Sequence, residues 1–296
     1  MPHQPVNGLI LKKYSGFYYV QGEAGQIYEC KLRGKVKKQV VLTGDRVLIT
    51  PLDETHGIIE RLEPRANELY RPRIANVDLV LIVMAYNRPE PVPMLLDRLL
   101  ILILHAGLTP VIVLNKCDLE ASQKAVDIMR IYKALGFEII HTSAKQRCGL
   151  EQLLTAVKGK IAVFAGPSGT GKSTLLNSLV DNLAIKTQEV SAKIGRGRHT
   201  TRHVELYPME SGGWIADTPG FSVLDLPEDL SSRQLGAYYP EFAQPAGECR
   251  FQNCLHYREV ECGVKQALEN GQVAQLRYHN YIAVLEEVMR NERCYR

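Results

Sequence analysis

The stretch Lys160-Ile-Ala-Val-Phe-Ala-Gly166-Pro-Ser-Gly-Thr-Gly171-Lys172-Ser-Thr174-Leu-Leu-Asn-Ser-Leu179 decides how the rest of the chain is read. An apolar run, Lys160 to Ala165, enters a glycine-rich turn, and the turn opens into apolar residues at helical spacing from Leu175 to Leu179. Strand, then G-x-x-x-x-G-K-[ST], then helix is the context that a phosphate-binding loop requires. Gly166, Pro167, Ser168, Gly169, Thr170, Gly171, Lys172, Ser173 and Thr174 are therefore the expected phosphate-binding residues. Glycines let backbone N–H groups converge on phosphate oxygens, and the helix N-terminus adds its positive dipole. Lys172 is expected to reach the β- and γ-phosphates, and Ser173 to bind magnesium. A glycine-rich turn of no function is the bland alternative. The loop by itself implies a nucleotide without saying which.

On either side the texture is that of a parallel, doubly covered sheet. Apolar runs Val77 to Ala85, Pro110 to Asn115, Phe137 to His141 and Ile161 to Ala165 alternate with helical patterns over Met94 to His105, Gln123 to Leu135 and Gly149 to Lys158. Before about Glu68 the chain reads differently, as short β runs punctuated by glycine: Gly8 to Val20, Gln26 to Leu32, Gln39 to Thr50 and His56 to Leu62. Such spacing suggests a small closed barrel or sandwich. Beyond about Leu224 come helix, a cysteine and histidine cluster, and a helical stretch from Val264 to about Arg290. Three modules are expected: a barrel over 1–68, an α/β nucleotide-binding domain over 69–224, and a mostly helical metal-binding domain over 225–296.

Two segments at strand ends address the base. They are Asn115-Lys116-Cys117-Asp118 and Thr142-Ser143-Ala144-Lys145. A carboxylate in the base plane accepts two hydrogen bonds from the guanine N1–H and exocyclic amine. Adenine offers no such donor pair and would leave Asp118 unsatisfied, at a cost of about 1–3 kcal/mol or more. Sites built on such bonds discriminate by about 10⁴. Asn115 is expected to contact the base and brace the phosphate loop, Lys116 to lie along the base plane, and Ser143 and Ala144 to offer backbone N–H to the guanine oxygen. Taken alone, Asp118 could equally cap the helix that begins near Ser122.

After the phosphate loop come Gly195-Arg-Gly-Arg-His199-Thr200-Thr201-Arg202 and Trp214-Ile-Ala-Asp217-Thr-Pro-Gly220. Asp217 ends an apolar strand, where it can hold magnesium through water, and the Gly220 N–H can meet the γ-phosphate. Thr200 or Thr201 would complete the nucleotide site, with Thr201 as a magnesium ligand only while that phosphate is present; its loss would release both segments. A flexible basic loop is the plain reading of 195–202, and both can hold. The base-reading segments precede the phosphate loop, so the order is permuted; in a parallel sheet every such loop lies at the strands' carboxyl ends, and circular permutation preserves the site in space. Phe221 stands where many GTPases carry a water-orienting glutamine. Slow intrinsic hydrolysis follows, with acceleration by a partner of about 10³–10⁵. His199 is the candidate to orient water, beside Lys172 and Gly220 as catalytic groups, although a surface histidine in a basic loop reads the same.

Seven cysteines, an odd number, argue against a disulfide framework. Cys249, Cys254, His256 and Cys262 supply three thiolates and an imidazole within fourteen residues, suited to closed, structural tetrahedral zinc. Such a site contributes about 10–16 kcal/mol of apparent folding free energy. Lys31, Arg33, Lys35, Lys37 and Lys38, close to Tyr14, Phe17, Tyr18, Tyr19 and Tyr28, form a candidate RNA surface, or else a solvated turn. The overall charge of +4 permits a polyanionic partner without demanding one. With 45% hydrophobic and 23% charged residues the chain has the composition of a soluble globular protein. No segment has the apolar length of a membrane crossing, and no secretory signal is read in the first residues, so the cytoplasm is expected.

Barrel, permuted GTPase motifs and Cys-Cys-His-Cys knuckle together resemble the ribosome small-subunit-dependent GTPase A family of bacteria, over nearly the whole chain. The resemblance implies an OB-fold at the N-terminus, GTP and GDP as ligands, magnesium with the nucleotide, and one zinc in the C-terminal domain. It implies further that the protein binds the 30S subunit and its rRNA during late maturation, with hydrolysis stimulated by that subunit. A monomer is expected. Two rivals stand beside it: an ATP-dependent kinase or transport ATPase that ignores Asp118, and an RNA-binding module that holds nucleotide only as a structural ligand.

Overall fold

Alternation of inward apolar and outward polar side chains builds the first part of the chain. In the computed structural model, which describes residues 4–69, 73–184, 204–217 and 225–294, it comprises β1 (Val6–Tyr14), β2 (Phe17–Gly22), β3 (Ile27–Leu32), β4 (Arg46–Pro51) and β5 (His56–Leu62). They close a barrel in the order β1-β2-β3-β5-β4, with β3 and β5 parallel and the other pairs antiparallel. This is the five-stranded closure of an OB-fold. Ile10, Val20, Cys30, Val47, Ile49 and Ile59 fill it. Tyr18 and Tyr28 join them, so these two aromatics are core residues and not stacking faces. Tyr14 is exposed, Lys12 lies over the Tyr19 ring and Lys31 over the Phe17 ring.

Two of the expected β runs differ from the structure for local reasons. Gly8 to Val20 breaks into β1 and β2 at Ser15 and Gly16, both at positive φ. Gln39 to Thr50 contributes strand only from Arg46, because the loop before it is tightly tied. Fully buried Asp45 accepts from the Leu42 N–H at 2.8 Å and from the Arg65 guanidinium at 2.6 Å. Gly44 donates to the Ile10 carbonyl and accepts from Asn76 Nδ2. Its φ is +86°, and a Cβ there would lie 2.2 Å from the Ala75 oxygen, so glycine is required.

A short pair, β6 (Glu68–Leu69) and β7 (Ile74–Ala75), leads into a six-stranded sheet. Its strands are β8 (Leu79–Ala85), β9 (Thr109–Asn115), β10 (Ile139–His141), β11 (Ile161–Ala165), β12 (Glu205–Pro208) and β13 (Trp214–Asp217), in the spatial order β10-β9-β8-β11-β13-β12. β9 with β10 and β11 with β13 run parallel, and β12 is an antiparallel edge. Every residue of β8 is buried, the pattern of a strand covered on both faces. Among the described residues the helices are α1 (Pro93–His105), α2 (Gln123–Ala134), α3 (Leu150–Val157), α4 (Lys172–Ala184), two short turns α5 (Ser232–Leu235) and α6 (Ala243–Ala246), then α7 (Gly263–Glu269) and α8 (Gln275–Cys294). The stretch expected to be helical from Val264 to Arg290 is thus two helices, parted where Gly271 takes a left-handed φ of 75°.

The described residues fall into two compact units, 4–81, 143–165 and 171–217 in one, and 82–142, 166–170 and 225–294 in the other, with β8 contributing residues to both. In the first, the barrel holds the β12–β13 hairpin by three side-chain bonds: Lys12 Nζ to Glu205 at 2.9 Å, Trp214 Nε1 to Gln21 Oε1 at 2.7 Å, and Thr43 Oγ1 to the Val204 carbonyl at 3.1 Å. In the second, Leu235, Tyr239, Phe242, Val264, Tyr281 and Val284 form a core with Ile101 of α1. Beside it, Arg277 of α8 is buried against Asp97 of α1 and Glu241. Asp97 also accepts from the Tyr132 hydroxyl of α2 at 2.5 Å and from Asn280 Nδ2 at 2.6 Å. Burial pushes the Asp97 carboxyl upward, the guanidinium of Arg277 opposes it, and the two carboxylates hold Arg277 firmly protonated. Among the described residues, no helix is long and apolar enough to cross a membrane.

Candidate nucleotide site and metal centre

The phosphate loop leaves the fully buried β11 and is shaped by its glycines. Gly166, Gly169 and Gly171 have φ of 121°, 82° and 96°. At Gly166 a Cβ would stand 2.3 Å from the Val83 oxygen of β8, so any other residue would push the loop off the strand beneath it. Thr170 is buried and donates to the Pro167 carbonyl at 3.0 Å, closing the turn on itself. α4 begins at Lys172, and Ser168, Gly169, Ser173 and Thr174 are exposed.

Asn115 ends β9, fully buried, and donates from Nδ2 to the Thr170 carbonyl at 2.8 Å while its Oδ1 accepts from Thr142. Lys116 follows at φ 64°, and its ammonium donates to the Gly169 carbonyl at 2.7 Å and to the Arg88 carbonyl. The first two residues of the base-reading segment thus hold the crest of the phosphate loop from below. Asp118 lies half-buried in the turn beyond. The helix cap belongs to Ser122, whose hydroxyl accepts from the Ala125 N–H at 3.1 Å. In the other unit, Ser143 is fully buried, its Oγ accepting from the Gln146 N–H, and the Ala144 carbonyl accepts from Ser178 of α4 at 3.1 Å. Asp217 closes β13, which is paired in parallel with β11. His199, Thr200, Thr201, Gly220 and Phe221 lie outside the described residues.

Cys249, Cys254, His256 and Cys262 converge, with their ligand atoms within 4.8 Å of one another. Bond lengths of about 2.3 Å to sulfur and 2.0–2.1 Å to nitrogen in a tetrahedron imply edges of about 3.8 Å between sulfurs and about 3.5 Å between sulfur and nitrogen. The observed edges are 3.9 Å for Cys249 to Cys262, and 3.5 Å and 3.4 Å from these sulfurs to His256 Nδ1. The donor set therefore fits a zinc ion. Backbone support surrounds it: the His256 N–H donates to Cys254 Sγ, the Tyr278 hydroxyl to the His256 carbonyl and the Tyr281 hydroxyl to the Leu255 carbonyl. Glu259 accepts from the Leu255 and Tyr257 N–H groups, and the Phe242 ring meets the imidazole edge-on. Burial pushes the Cys254 thiol up to about 12 and the Cys262 thiol upward, and it lowers His256. A bound cation reverses that preference for the thiols.

Residues 62–227 match the family described as RsgA GTPase, and residues 7–59 that described as RsgA N-terminal domain. The chain belongs to the RsgA GTPase family. A protein of Carboxydothermus hydrogenoformans named small ribosomal subunit biogenesis GTPase RsgA is 48% identical over 97% of this chain and 99% of its own. One of the same name from Moorella thermoacetica is 44% identical over 98% and 100%. The crystal structure of YjeQ from Thermotoga maritima superposes with a TM-score of 0.81 at 36% identity, covering 97% of this chain and 99% of that one. The structure of YloQ, a circularly permuted GTPase, gives 0.80 at 33%, covering 97% and 96%. As an RsgA GTPase the chain is a GTP-hydrolysing enzyme with a permuted P-loop fold, and the family implies magnesium with its nucleotide.

Lys31, Arg33, Lys35, Lys37 and Lys38 all have exposed side chains, and Arg33 pairs with Glu60. The bonds from Lys116 to two carbonyls escaped the sequence, because backbone acceptors carry no residue signature. So did the barrel's hold on the hairpin, made by Lys12, Gln21 and Thr43, which no motif contains.

Proposed function

We propose that this chain hydrolyses GTP as a late-maturation factor of the small ribosomal subunit, which it binds through rRNA and which stimulates its hydrolysis. The observation carrying the nucleotide half is the brace: Asn115 and Lys116 reach the Thr170 and Gly169 carbonyls, so the first base-reading segment is tied directly to the crest of the phosphate loop. The ribosomal half draws on what the close relatives are named for.

In this reading Lys172 and the loop backbone from Gly166 to Thr174 hold the phosphates. Asp118 and the Ser143 and Ala144 backbone select guanine. Magnesium, which would neutralise phosphate charge, falls to Ser173, Thr201 and Asp217. A hydroxyl at the head of α4 and a carboxylate at the carboxyl end of the neighbouring parallel strand are oxygen donors of the kind it takes. Gly220 meets the γ-phosphate, and His199 orients water in place of the glutamine that Phe221 replaces. Zinc at Cys249, Cys254, His256 and Cys262 is structural. We divide the chain at 1–68, 69–224 and 225–296, assign rRNA contact to Lys31, Arg33, Lys35, Lys37 and Lys38, and take the protein to act as a cytoplasmic monomer.

The test is GTP turnover with and without purified 30S subunits. Stimulation of at least tenfold is expected, and phosphate release that ignores the subunits would refute the ribosomal half.

A further inference from the structure

Among the described residues, side-chain bonds from the barrel reach the β12–β13 hairpin of the nucleotide-binding sheet. Trp214, the first residue of β13, donates from Nε1 to Gln21 of β2. At the other end Asp217 is paired in register with Glu205 of β12, and Glu205 takes the ammonium of Lys12 from β1. Beside it, Thr43 donates to the Val204 carbonyl just before β12 begins. Lys12 is four-fifths covered, so this pair is shielded from water more than an ordinary surface pair.

The Thr43 loop is itself stiff. Asp45 and Arg65 tie it from within, the Thr43 carbonyl accepts from the Ala75 N–H, and Gly44 is wedged against Ala75. Meanwhile β13 lies parallel to β11, Ala162 opposite Ile215 and Val163 opposite Ala216, so its carboxyl end rises beside the strand that feeds the phosphate loop. A slide of the hairpin along β11 would move Asp217 relative to the end of β11 and the head of α4. The three barrel bonds resist such a slide.

We propose that Lys12, Gln21 and Thr43 are positioning residues for the magnesium site, setting the height of Asp217 at the sheet's carboxyl edge. The barrel then does more than dock: whatever engages it can tighten or slacken the metal-bound nucleotide complex through β12 and β13. This rests on the reading of Asp217 as a magnesium-site carboxylate.

The experiment titrates magnesium against binding of a fluorescent, non-hydrolysable GTP analogue, with GDP affinity in the absence of magnesium as the reference. For Thr43→Val and Gln21→Met, the magnesium concentration for half-maximal tightening is expected to rise about three- to tenfold, the size of one lost hydrogen bond. The GDP reference should stay unchanged, and Thr43→Ser, which keeps the hydroxyl, should restore the parent value. Equal loss of affinity in both assays, or no shift in either variant, overturns the proposal. Asp217→Asn separates the two failures. If it leaves the magnesium dependence untouched, the reading of Asp217 is wrong and the proposal goes with it; if it abolishes that dependence while the barrel variants are silent, only the positioning claim falls. Should Thr43→Val not fold, Gln21→Met carries the same comparison.

Discussion

In the site proposed above, Asp118 concentrates the choice of base in one carboxylate. An ionised carboxylate only accepts, and it fits the two donors that guanine presents along that edge. Asparagine there offers one donor and one acceptor, so Asp118→Asn is expected to weaken GTP binding by at least about 10²-fold and to favour xanthosine triphosphate. Competition between the two nucleotides measures it, and unchanged preference for GTP would remove Asp118 from the base site. Because Ser122 caps α2, the same substitution leaves that helix cap in place. At this scale the sequence was informative wherever chemistry demands a residue type. Gly166 must be glycine because β8 passes under it, and the phosphate-loop pattern records that need. Lys116 is different: its residue type was visible, but its bonds to Gly169 and Arg88 carbonyls were not, since any residue supplies a carbonyl.

Among the elements, the Cys-Cys-His-Cys knuckle proposed to hold zinc is built without helix or strand of its own. Phe251 and Val260 are exposed, and the backbone between Cys249 and Cys262 turns on side-chain caps from Glu259 more than on helix or strand. On the zinc reading, removing the ion would leave two half-buried thiols, the buried Cys262 thiol and a buried imidazole with no shared ion. Treatment with a strong chelator, or Cys262→Ser, is expected to lower the melting temperature by several degrees and to raise protease sensitivity around residues 249–262. Retention of the parent melting curve after verified zinc loss would show the knuckle holds itself. The four ligands were legible from spacing because metal geometry brings them close in sequence. Element boundaries were less so. Val41 to Asp45 has the composition of a strand, yet Asp45 turns its carboxylate back on the Leu42 N–H and makes a tight loop. A continuous helix from Val264 to Arg290 suits the apolar spacing, but Gly271 interrupts it with a conformation that other residues seldom adopt.

Across the molecule, polar order in the second unit depends on Arg277. Its guanidinium is enclosed with Asp97 and Glu241; the Tyr132 hydroxyl shares Asp97 Oδ1 with it, and Asn280 Nδ2 takes Asp97 Oδ2. Breaking such a pair on one side strands buried charge, at about 3–5 kcal/mol, whereas replacing all partners together can be nearly neutral. Arg277→Met is thus expected to destabilise the protein by that amount in urea denaturation. Adding Asp97→Asn and Glu241→Gln should return much of the loss; equal instability of single and triple variants would point to packing instead. This cluster was invisible in the sequence. Asp97 interrupts an apolar helix without any local partner, and its counter-ion stands 180 residues further on.

That separation bears on how the chain is made. A ribosome synthesising it threads out α1 and α2 long before α8, so for most of translation Asp97 waits with no cation to meet. Completion of this half of the protein is therefore deferred until synthesis is nearly over, and a nascent chain halted before Gln275 would carry a buried-site carboxylate still in search of its match.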